Sequence, residues 1–409
     1  MRSPSAVLRA DDGPAPLDLT SEFAIEPVRS PPAAALDYSL ITTREGFDGL
    51  AAAWEELFQR SGRGAQAFQT FGWCWQWCNH YLADKDTLAV VTGWRGSELV
   101  LVWPLVARRT AGVLKLTSLG APVSQYSDAL IEPSADVETQ IEKAWDFVVG
   151  AVKPDLVWLS HVRADAAIAP LMEQLGAIET QRLEAPYIDL SKTPNVDTFM
   201  RRYSSHTRKK YRAAGRRIAD VGRFVELSEG TGARQLAASV IEMKRRQLRE
   251  RGLLSPAFAD NRMRDFFADA ASGQGYPTGT RIQALQIGEE CAAADIVLTC
   301  KQTVLGHVFT YDPRFAKDNV GLQLLHHIID GLIGDGYQTF DLLAPADVYK
   351  LRCADGTVAV VDWAIPLTSK GRLLARAQKV ARSAAKAALR WLPEEPRRYL
   401  AQRYYRRVS

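Results

Sequence analysis

The sequence feature that most constrains the fold is an order of helical and extended segments that occurs twice along the chain. In the first occurrence, two helical segments precede three strand-like runs, and a helix and two further strands follow. In the second, a basic helix, a strand and two helices precede the same succession of strands and helix. This alternation predicts an α/β (α+β) fold with mixed, mostly antiparallel sheets flanked by helices.

The segment boundaries divide the 409 residues into four parts. Residues 1–36 contain six prolines and little periodicity, and they are predicted to form a disordered leader. The two occurrences of the pattern span residues 37–190 and 191–368, which we call the first half and the second half. Residues 369–409 form a basic C-terminal segment. Each half is long enough to build its own apolar core.

Composition excludes several classes of protein. Hydrophobic residues make up 47% of the chain and charged residues 24%, as in ordinary globular proteins. The five cysteines form no Cys-x-x-Cys pair and are odd in number, which argues against a disulfide framework or a zinc site. No run approaches the roughly 18 apolar residues of a membrane span, and the N-terminus lacks the apolar block of a secretory signal. The sequence predicts a cytoplasmic protein with no permanently bound cofactor and no metal site.

Positive charge is concentrated at the C-terminal end. The chain has a net charge of +4, but residues 370–409 contain twelve Lys or Arg and two Glu, so this segment carries +10 and the remainder −6. At about 100° per residue, basic side chains occupy one stripe of a helix and apolar side chains lie opposite. The basic stripe consists of Arg372, Arg376, Lys379, Arg382, Lys386 and Arg390, and the apolar stripe of Leu373, Ala377, Val380, Ala384, Ala388 and Trp391. The segment is predicted to form a basic amphipathic helix.

Three surfaces are candidates for binding such a helix. It can lie among the headgroups of an anionic membrane, where each basic residue contributes about 1 kcal/mol and the apolar side inserts. It can instead pack its alanine-rich side on the rest of the protein and leave its arginines in solvent. Nucleic acid is disfavoured, because the remainder of the chain is acidic and repels a duplex. Peripheral docking on the inner face of the cell membrane through residues 370–409 is the leading interpretation.

The segment from Val304 to Gly356 carries the motif most informative about function. A strand is predicted at Val304–Tyr311, followed by a polar turn and a helix that begins near Val320 with Gly321 in its first turn. Unpaired N–H groups point out of a helix start, and a glycine there lets a phosphate approach the backbone. Arg314 and Lys317 add positive charge. The pattern predicts a phosphate-binding corner, although a plain strand-to-helix connection has the same pattern.

This stretch resembles the acyl-CoA-binding core of the GNAT acyltransferases, specifically the CelD/BcsL-like branch, which is related to the Fem peptidyltransferases and has two GNAT-like halves. The resemblance rests on YDPRFAKDNVG, GLQLLHHIIDGLIGDG and FDLLAPADVYKLRCADG, with FQTFGWCWQWC and YSSHTRKKYRAAGRR upstream. It covers about residues 37–367 and implies tandem GNAT-like domains. Relatives often have Ser-Pro-Gly before the helix, whereas this chain has Asp318-Asn319-Val320-Gly321, which implies a reshaped phosphate contact.

The resemblance implies that the second half binds acyl-CoA as a co-substrate. The backbone amides of Asn319, Val320, Gly321 and Leu322 would hold the pyrophosphate. The pantetheine arm would lie between the strand at Val304–Tyr311 and the strand at Thr339–Leu343. An amine would then attack the thioester directly, which requires a proton acceptor, donors to the oxyanion and stabilisation of the leaving thiolate.

Two residues are candidates for the proton acceptor. Strand alternation predicts that His307 shares a face with Leu305, Phe309 and Tyr311, and its ordinary pKa near 6.5 suits a base at neutral pH. Asp341, at the start of the next strand, is the rival. Structural roles stay open for both, since His307 can be a hydrogen-bonded core histidine and Asp341 a strand-end cap.

Other side chains are candidates for supporting roles. Tyr349 is a candidate acid for the thiolate, and Lys350 or Asp347 could position the acceptor. An exposed strand pair at Tyr349 and Lys350 is the alternative.

Substrate contacts are predicted upstream. In the basic helix around residues 196–221, Arg208 and Arg212 lie four residues apart on one face, suited to an anionic acceptor, a membrane surface or plain solvent. Trp75 belongs to the aromatic helix around residues 68–81, where core packing is favoured and an acyl or sugar contact is the alternative.

These features lead to one principal function and three alternatives. The principal hypothesis is acyl-CoA-dependent N-acylation of an amine at the membrane, with a sphingoid base slightly favoured over an amino sugar of exopolysaccharide synthesis. A second class is a non-catalytic, membrane-docked regulator that binds an anionic ligand. An aminoacyl-tRNA-dependent transfer like that of the Fem enzymes is disfavoured, because no long helical arm is evident in the second half.

Overall fold

The computed structural model describes residues 35–408, apart from the side chains of residues 383, 385–387, 389–390 and 406–408. The predicted leader therefore lies, up to residue 34, outside the described residues. The strands are β1 (Asp37–Ile41), β2 (Asp86–Leu88), β3 (Val90–Arg95), β4 (Glu98–Trp103), β5 (Leu105–Thr110), β6 (Val113–Ser118), β7 (Leu130–Ile131), β8 (Leu156–Arg163), β9 (Ile178–Asp189), β10 (Gly222–Leu227), β11 (Thr280–Ile287), β12 (Glu290–Cys300), β13 (Thr303–Tyr311), β14 (Thr339–Asp341) and β15 (Gly356–Pro366).

The helices alternate with these strands. They are α1 (Arg44–Asp48), α2 (Ala51–Ser61), α3 (Phe71–Tyr81), α4 (Val137–Val152), α5 (Ala169–Gln174), α6 (Val196–Met200), α7 (Ser205–Ile218), α8 (Gly230–Glu250), α9 (Pro256–Ala259), α10 (Asn261–Ala270), α11 (Val320–Gly334), α12 (Val348–Leu351), α13 (Ser369–Trp391) and α14 (Glu394–Val408). Short 3-10 helices lie at Gly64–Gln69, Leu190–Lys192 and Pro313–Asp318. The predicted basic helix is broken into α6 and α7, whereas α11 begins at Val320 as predicted.

The strands form two mixed sheets, one of four strands in the order β1-β3-β4-β7 and one of eleven. The larger sheet has the order β10-β11-β12-β13-β14-β9-β15-β8-β6-β5-β2. The two halves exchange strands within this sheet. Strand β9 of the first half pairs with β14 and β15 of the second half, and β15 of the second half pairs with β8 of the first. The ladders β6–β8 and β13–β14 are parallel, and the other ladders of the described strands are antiparallel. The predicted α/β class with mixed, mostly antiparallel sheets is confirmed.

Strand β13 contains an extra residue relative to its neighbour β12. Gly306 pairs with Val297 and Val308 pairs with Ile296, so His307 is the residue left over at a β-bulge. A bulge shifts the alternation of side chains by one position. The prediction that His307 shares a face with Phe309 and Tyr311 is therefore wrong, because simple alternation cannot anticipate the inserted residue.

Apolar cores lie on both sides of the large sheet. One core joins the two halves, with Trp73 and Trp77 of α3 packed among residues of α8 and α10. Another lies beneath α11, where Leu324 and Ile328 contact Val297 and Phe340. The core packing predicted for the aromatic helix is confirmed for Trp73 and Trp77, which are at most 2% exposed.

The C-terminal segment forms two helices rather than one. Helix α13 packs on the sheet through Ala375, while Leu373, Val380 and Trp391 of its apolar stripe are 72%, 67% and 88% exposed. The alternative in which this stripe covers the rest of the protein therefore fails. Helix α14 folds back along α8 and buries Tyr405. No helix among the described residues is both long enough and apolar enough to cross a membrane.

Candidate active site

An open groove lies at the corner between the end of β13 and the start of α11, where the sequence predicts a phosphate site. It consists of two cavities of about 320 and 460 Å³ that share Leu322, Leu325 and Tyr349 in their walls. Strand β14 pairs with β13 only over Thr303–Leu305, so the remainder of β13 has no partner on that side. The groove lies along this part of β13, since Phe309 and Tyr311 line it.

The start of α11 presents backbone donors to this groove. Asn319 precedes the helix in the left-handed conformation, with φ of 50°, and its side chain makes no capping hydrogen bond. The first turn holds no acidic residue. A Cβ placed on Gly321 would lie 3.4 Å from the Phe309 ring, within the narrow part of the groove. The N–H groups of a first helical turn have no partner within the helix and lie at the positive end of its dipole. Gly321 and Leu322 of this turn line the groove.

Positive side chains flank the groove. Lys244 lies on α8, Arg251 directly follows that helix, and Arg352 borders the adjoining cavity. The Arg251 guanidinium donates to the Tyr311 hydroxyl at 3.0 Å, and neither Arg251 nor Arg352 forms an ion pair within the described chain. Sequence reasoning missed these residues, because α8 and α12 are distant in sequence from the turn before α11.

Two predicted cationic contacts fall elsewhere. Arg314 is paired with Asp312 at 2.8 Å and with Glu290 at 3.0 Å, and it does not line the groove. Lys317 is exposed and does not line the groove either. Asp318, the departure from the Ser-Pro-Gly pattern, is neutralised by Arg217 of α7 at 2.8 Å. The carboxylate next to the predicted phosphate site is thereby held in an ion pair.

Asp295 is a buried carboxyl group that sequence reasoning missed. It lies on β12 opposite Phe309, only 2% exposed, and its Oδ1 has no hydrogen-bond partner within the described chain. Burial raises its pKa to about 7, although the charges of Lys350 and Lys244 oppose that shift. The sequence did contain a signal for this residue, because a single acidic residue inside an apolar run such as CAAADIVLTC is unusual.

Tyr349, Lys350 and Asp347 lie together beside Asp295. Asp347 is the N-cap residue of α12, and Tyr349 and Lys350 lie within that helix, so the alternative of an exposed strand pair at Tyr349 and Lys350 is wrong. The Tyr349 ring stacks on Phe309 with centroids 6.0 Å apart, and Tyr349 and Asp347 line the groove. Burial raises the pKa of the Tyr349 hydroxyl, which therefore keeps its proton at neutral pH.

Lys350 is the buried charge at the centre of this group. Its Nζ donates to the carbonyl of Leu343 at 2.9 Å, and burial lowers its pKa. Its charge acts on Asp295, Asp341 and His307, so these titratable groups surround one ammonium. Burial also lowers the pKa of Lys244 to about 8, and its Nζ donates to the Phe309 carbonyl at 2.8 Å.

His307 lies on the opposite side of β13 from the groove. Its ring packs against Trp73 and Phe267, at centroid distances of 6.0 and 5.0 Å. Its Nε2 lies 2.7 Å from the carbonyl oxygen of Val123, and burial lowers its pKa to about 4. A base with so low a pKa removes protons poorly at neutral pH.

Asp341 is held by a closed set of partners. It accepts from the Tyr126 hydroxyl at 2.9 Å, from Arg163 at 2.8 Å and from the N–H of Leu343 at 2.9 Å. Tyr126 and Arg163 line a separate small cavity of the first half. Asp341 therefore does not line the groove.

The predicted substrate contacts are dispersed. Arg208 donates to the carbonyl of Tyr203 at 2.7 Å, next to the adjoining cavity, and Arg212 is exposed on α7. Trp75 packs edge-on against Tyr276 at 5.3 Å and beneath Arg44 at 5.5 Å. The geometry does not bring Trp75 or Arg212 to the groove. No group of three or more residues within residues 35–408 has the arrangement of a metal site.

Comparison with known proteins places this site in a family context. Residues 205–351 match the model of the acetyltransferase (GNAT) domain. The crystal structure of FemX superposes with a TM-score of 0.55 at 9% identity, covering 84% of this chain and 100% of FemX. A tandem GNAT protein from the clavulanic acid biosynthesis pathway has a TM-score of 0.46 at 12% identity, covering 80% of this chain and 98% of that one. A comparison with curated protein sequences gave no match. The predicted GNAT resemblance is confirmed for residues 205–351.

Proposed function

We propose that this chain, whose residues 205–351 match the acetyltransferase (GNAT) domain, transfers an acyl group from acyl-CoA to the primary amine of an acceptor at a membrane surface. One observation carries this proposal. The groove at the start of α11 combines free helix N–H groups, apolar walls and unpaired cations. These are the features that a phosphate-bearing, partly apolar thioester requires.

Acyl-CoA fits the groove in one orientation. The pyrophosphate would lie at the N–H groups of Val320 to Leu322, between Arg251 on one side and Arg352 on the other. The pantetheine arm would follow the unpaired edge of β13 beyond Leu305, past Phe309 and Tyr349. This path leads the thioester toward the bulge at His307 and the buried carboxyl of Asp295.

The chemistry needs a proton acceptor and a proton donor. The amine nitrogen attacks the thioester carbon, an N–C bond forms and the C–S bond breaks. We assign Asp295 as the acceptor of the amine proton, because its pKa near 7 suits a base at neutral pH. The Tyr349 hydroxyl, which keeps its proton, donates to the leaving thiolate, and the Lys350 ammonium stabilises the negative charge of the Asp295 carboxylate.

Helix α13 supports a membrane-presented acceptor. Its exposed apolar residues Leu373, Val380 and Trp391 and the exposed Arg372 and Arg376 fit an anionic bilayer surface. Arg382 of the basic stripe is instead paired with Asp362 at 2.8 Å. A sphingoid base, which is an amine embedded in such a surface, is the acceptor that this helix favours. An amino sugar is the second candidate, since a polar cavity lined by hydroxyl groups lies behind β13.

Release of free CoA thiol from the purified chain tests the proposal. Acetyl-CoA or palmitoyl-CoA would be mixed with sphinganine in anionic mixed micelles, or with glucosamine, and thiol would be followed over time. We expect thiol release that depends on one of these amines, with the N-acyl product identified by mass spectrometry. Binding of CoA without thiol release from any amine would favour the non-catalytic regulator.

A further inference from the structure

A cavity of about 600 Å³ lies on the His307 side of β13, and it shares no lining residue with the acyl-CoA groove. Strands β6 and β8 run parallel through its wall, with Thr117 paired to Trp158. Side chains on a strand point alternately to its two faces, so Lys115 shares a face of β6 with Thr117. By the same rule, Ser160 shares a face of β8 with Trp158. The pairing of these two strands therefore brings a lysine, a tryptophan and a serine to one wall.

Lys115 places an unpaired positive charge in this wall. Its ammonium lies 4.5 Å from the centre of the Trp158 ring and has no hydrogen bond or ion pair within the described chain. Burial and the nearby charges of Arg382 and Arg108 lower its pKa to about 8, so it is still protonated at neutral pH. The carboxylate of Asp362 opposes that shift, but Arg382 holds it in an ion pair at 2.8 Å. A largely buried cation without a partner is stabilised by an anion.

The other titratable groups of the lining do not neutralise Lys115. Arg108 donates to Asp86 at 2.7 Å, and Asp86 does not line the cavity. Burial lowers the pKa of His161 and of His307, which leaves both rings neutral at neutral pH. No carboxylate lines the cavity in the part of the chain that the structure describes. The lining is therefore positively charged.

Three serine hydroxyl groups in the same wall have protons to donate. Each oxygen accepts a hydrogen bond from an N–H group of the protein, and none of the three hydroxyl groups donates to an acceptor within residues 35–408. The pairs are Trp158 Nε1 to Ser160 Oγ at 3.1 Å, Trp73 Nε1 to Ser124 Oγ at 2.9 Å, and the backbone N–H of Phe258 to Ser255 Oγ at 3.4 Å. A hydroxyl group whose oxygen is engaged in this way offers its proton to a ligand. A ligand in this cavity therefore needs several acceptor atoms.

The positions of these donors favour a phosphate over a carboxylate. They lie on four segments of the chain, namely β6 with Lys115, β8 with Ser160, the β6–β7 connection with Ser124, and the residue before α9, Ser255. Donors on separate segments reach a ligand from several directions. A carboxylate accepts hydrogen bonds near one plane, whereas a phosphate monoester has three terminal oxygens in a tetrahedral arrangement and up to two negative charges.

The remaining wall is apolar, and one side chain of α13 contributes to it. It is formed by Pro122, Phe258, Met263 and Leu374. The molecule that carries the phosphate can therefore pack carbon atoms against this wall.

We propose that this cavity is a second ligand site, which binds a phosphate monoester with its phosphate at Lys115 and the serine hydroxyl groups. The inference goes beyond the proposed function, since it assigns the cavity no step of acyl transfer. The phosphate offsets the buried charge of Lys115 and accepts the protons of Ser124, Ser160 and Ser255. The carbon skeleton of the ligand lies against Phe258 and Met263.

Calorimetric titration of the full chain with glycerol 3-phosphate tests this site. We expect saturable binding that weakens by about tenfold or more in Lys115→Gln and several-fold in Ser160→Ala, because each change removes a donor to the phosphate. Lys143→Gln removes the same charge at an exposed position of α4 and should bind as the wild type does. Monomeric lysophosphatidic acid is the second arm. Tighter binding of it than of glycerol 3-phosphate assigns the site to a lipid phosphate, and weaker binding assigns it to a soluble one.

The groove at α11 is the competing site for a phosphate, and Gly321→Glu separates the two. This variant should bind glycerol 3-phosphate as the wild type does, and Lys115→Gln should bind acetyl-CoA as the wild type does. Loss of glycerol 3-phosphate binding in Gly321→Glu, with unchanged binding in Lys115→Gln, would place the phosphate in the groove and overturn the inference. Absence of binding by both phosphates would also overturn it. Equal affinity for D-glycerate, which has a carboxylate in place of the phosphate ester, would refute the assignment of a phosphate.

Discussion

The two halves contain the same strand–helix–strand unit, yet only one of them has the charge to hold a phosphate. In the first half, β6, α4 and β8 form a parallel crossover, and in the second half β13, α11 and β14 do the same. Helix α4 starts at Asp136 and Val137 with Glu138 in its first turn, whereas α11 has Gly321 at the matching position and no acid. The fold therefore supplies the helix start, and side-chain charge decides whether an anion can use it.

The cavities beside the two helices show the same contrast. The cavity at α4 measures about 260 Å³ and is lined by Glu138 and Glu142. The groove at α11 is lined by Lys244 and Arg251. A carboxylate at a helix start occupies the positive end of the dipole, so a phosphate would meet repulsion at α4 and attraction at α11.

The contrast extends to Asp295, the proposed proton acceptor, and its replacement has the largest expected effect. Strand β12 beside the second crossover carries Asp295, whereas β5 beside the first has the sequence LVARRT, without an acid. Replacing Asp295→Asn should lower kcat by about 10²- to 10⁴-fold, the range typical of a lost general base. The melting temperature should not fall, because the change removes a buried charge. Asp146→Asn on α4 is the matched control and should leave kcat unchanged.

The pH profile sharpens the same prediction. Because burial raises the pKa of Asp295 to about 7, its carboxylate form grows as pH rises, and kcat/KM should increase through that range. Lys350 and Lys244 face this carboxyl, and loss of charge from Lys244 near pH 8 would push the pKa of Asp295 higher still. Asp295→Asn should lose the rising limb. An unchanged profile in that variant would assign the proton to another group.

Sequence reasoning predicted the strand, the turn and the start of α11 because their signals are local. A strand, a polar turn and a glycine in the first helical turn are contiguous, and α11 begins at the expected residue. The apolar periodicity likewise placed the aromatic helix in the core. These features depend on residues that are close together in the sequence.

The remaining features depend on contacts between distant segments. The bulge at His307 is visible only in the pairing of β13 with β12, so alternation gave the wrong face. Asp341 was a candidate base, but Arg163 and Tyr126 of the first half surround it. Arg314 was a candidate phosphate contact, but it forms an ion pair with Glu290 at the start of the neighbouring strand β12. Pairwise electrostatics of this kind follow from the fold and not from spacing.

Reciprocal substitutions at the two helix starts, which swap the glycine of α11 with the glutamate of α4, have the next largest expected effect. Gly321→Glu introduces at α11 the residue that α4 carries, and the affinity for CoA should fall about a hundredfold through repulsion and filling of the narrow part of the groove. Glu138→Gly at α4 should leave CoA affinity within twofold of wild type. Titration calorimetry measures both. Equal affinity in Gly321→Glu and wild type would show that the phosphate binds elsewhere.

A smaller effect is expected at helix α13, for which membrane binding is proposed. Val380→Glu adds a charge to the exposed apolar stripe of α13 and should weaken binding to anionic phosphatidylglycerol vesicles several-fold, as measured by co-sedimentation. Val221→Glu makes the same chemical change at another exposed valine and serves as the control. Equal sedimentation of the two variants and the wild type would mean that α13 does not contact the bilayer.

Backbone amide exchange at the two helix starts measures the central claim most directly. Hydrogen–deuterium exchange of the wild-type chain, with and without saturating acetyl-CoA, would be compared at residues 320–322 of α11 and 137–139 of α4. The account predicts slower exchange at residues 320–322 and no change at 137–139, because only the second half offers its amides to the pyrophosphate. Protection at α4, or unchanged exchange at α11 while acetyl-CoA is bound, would contradict it.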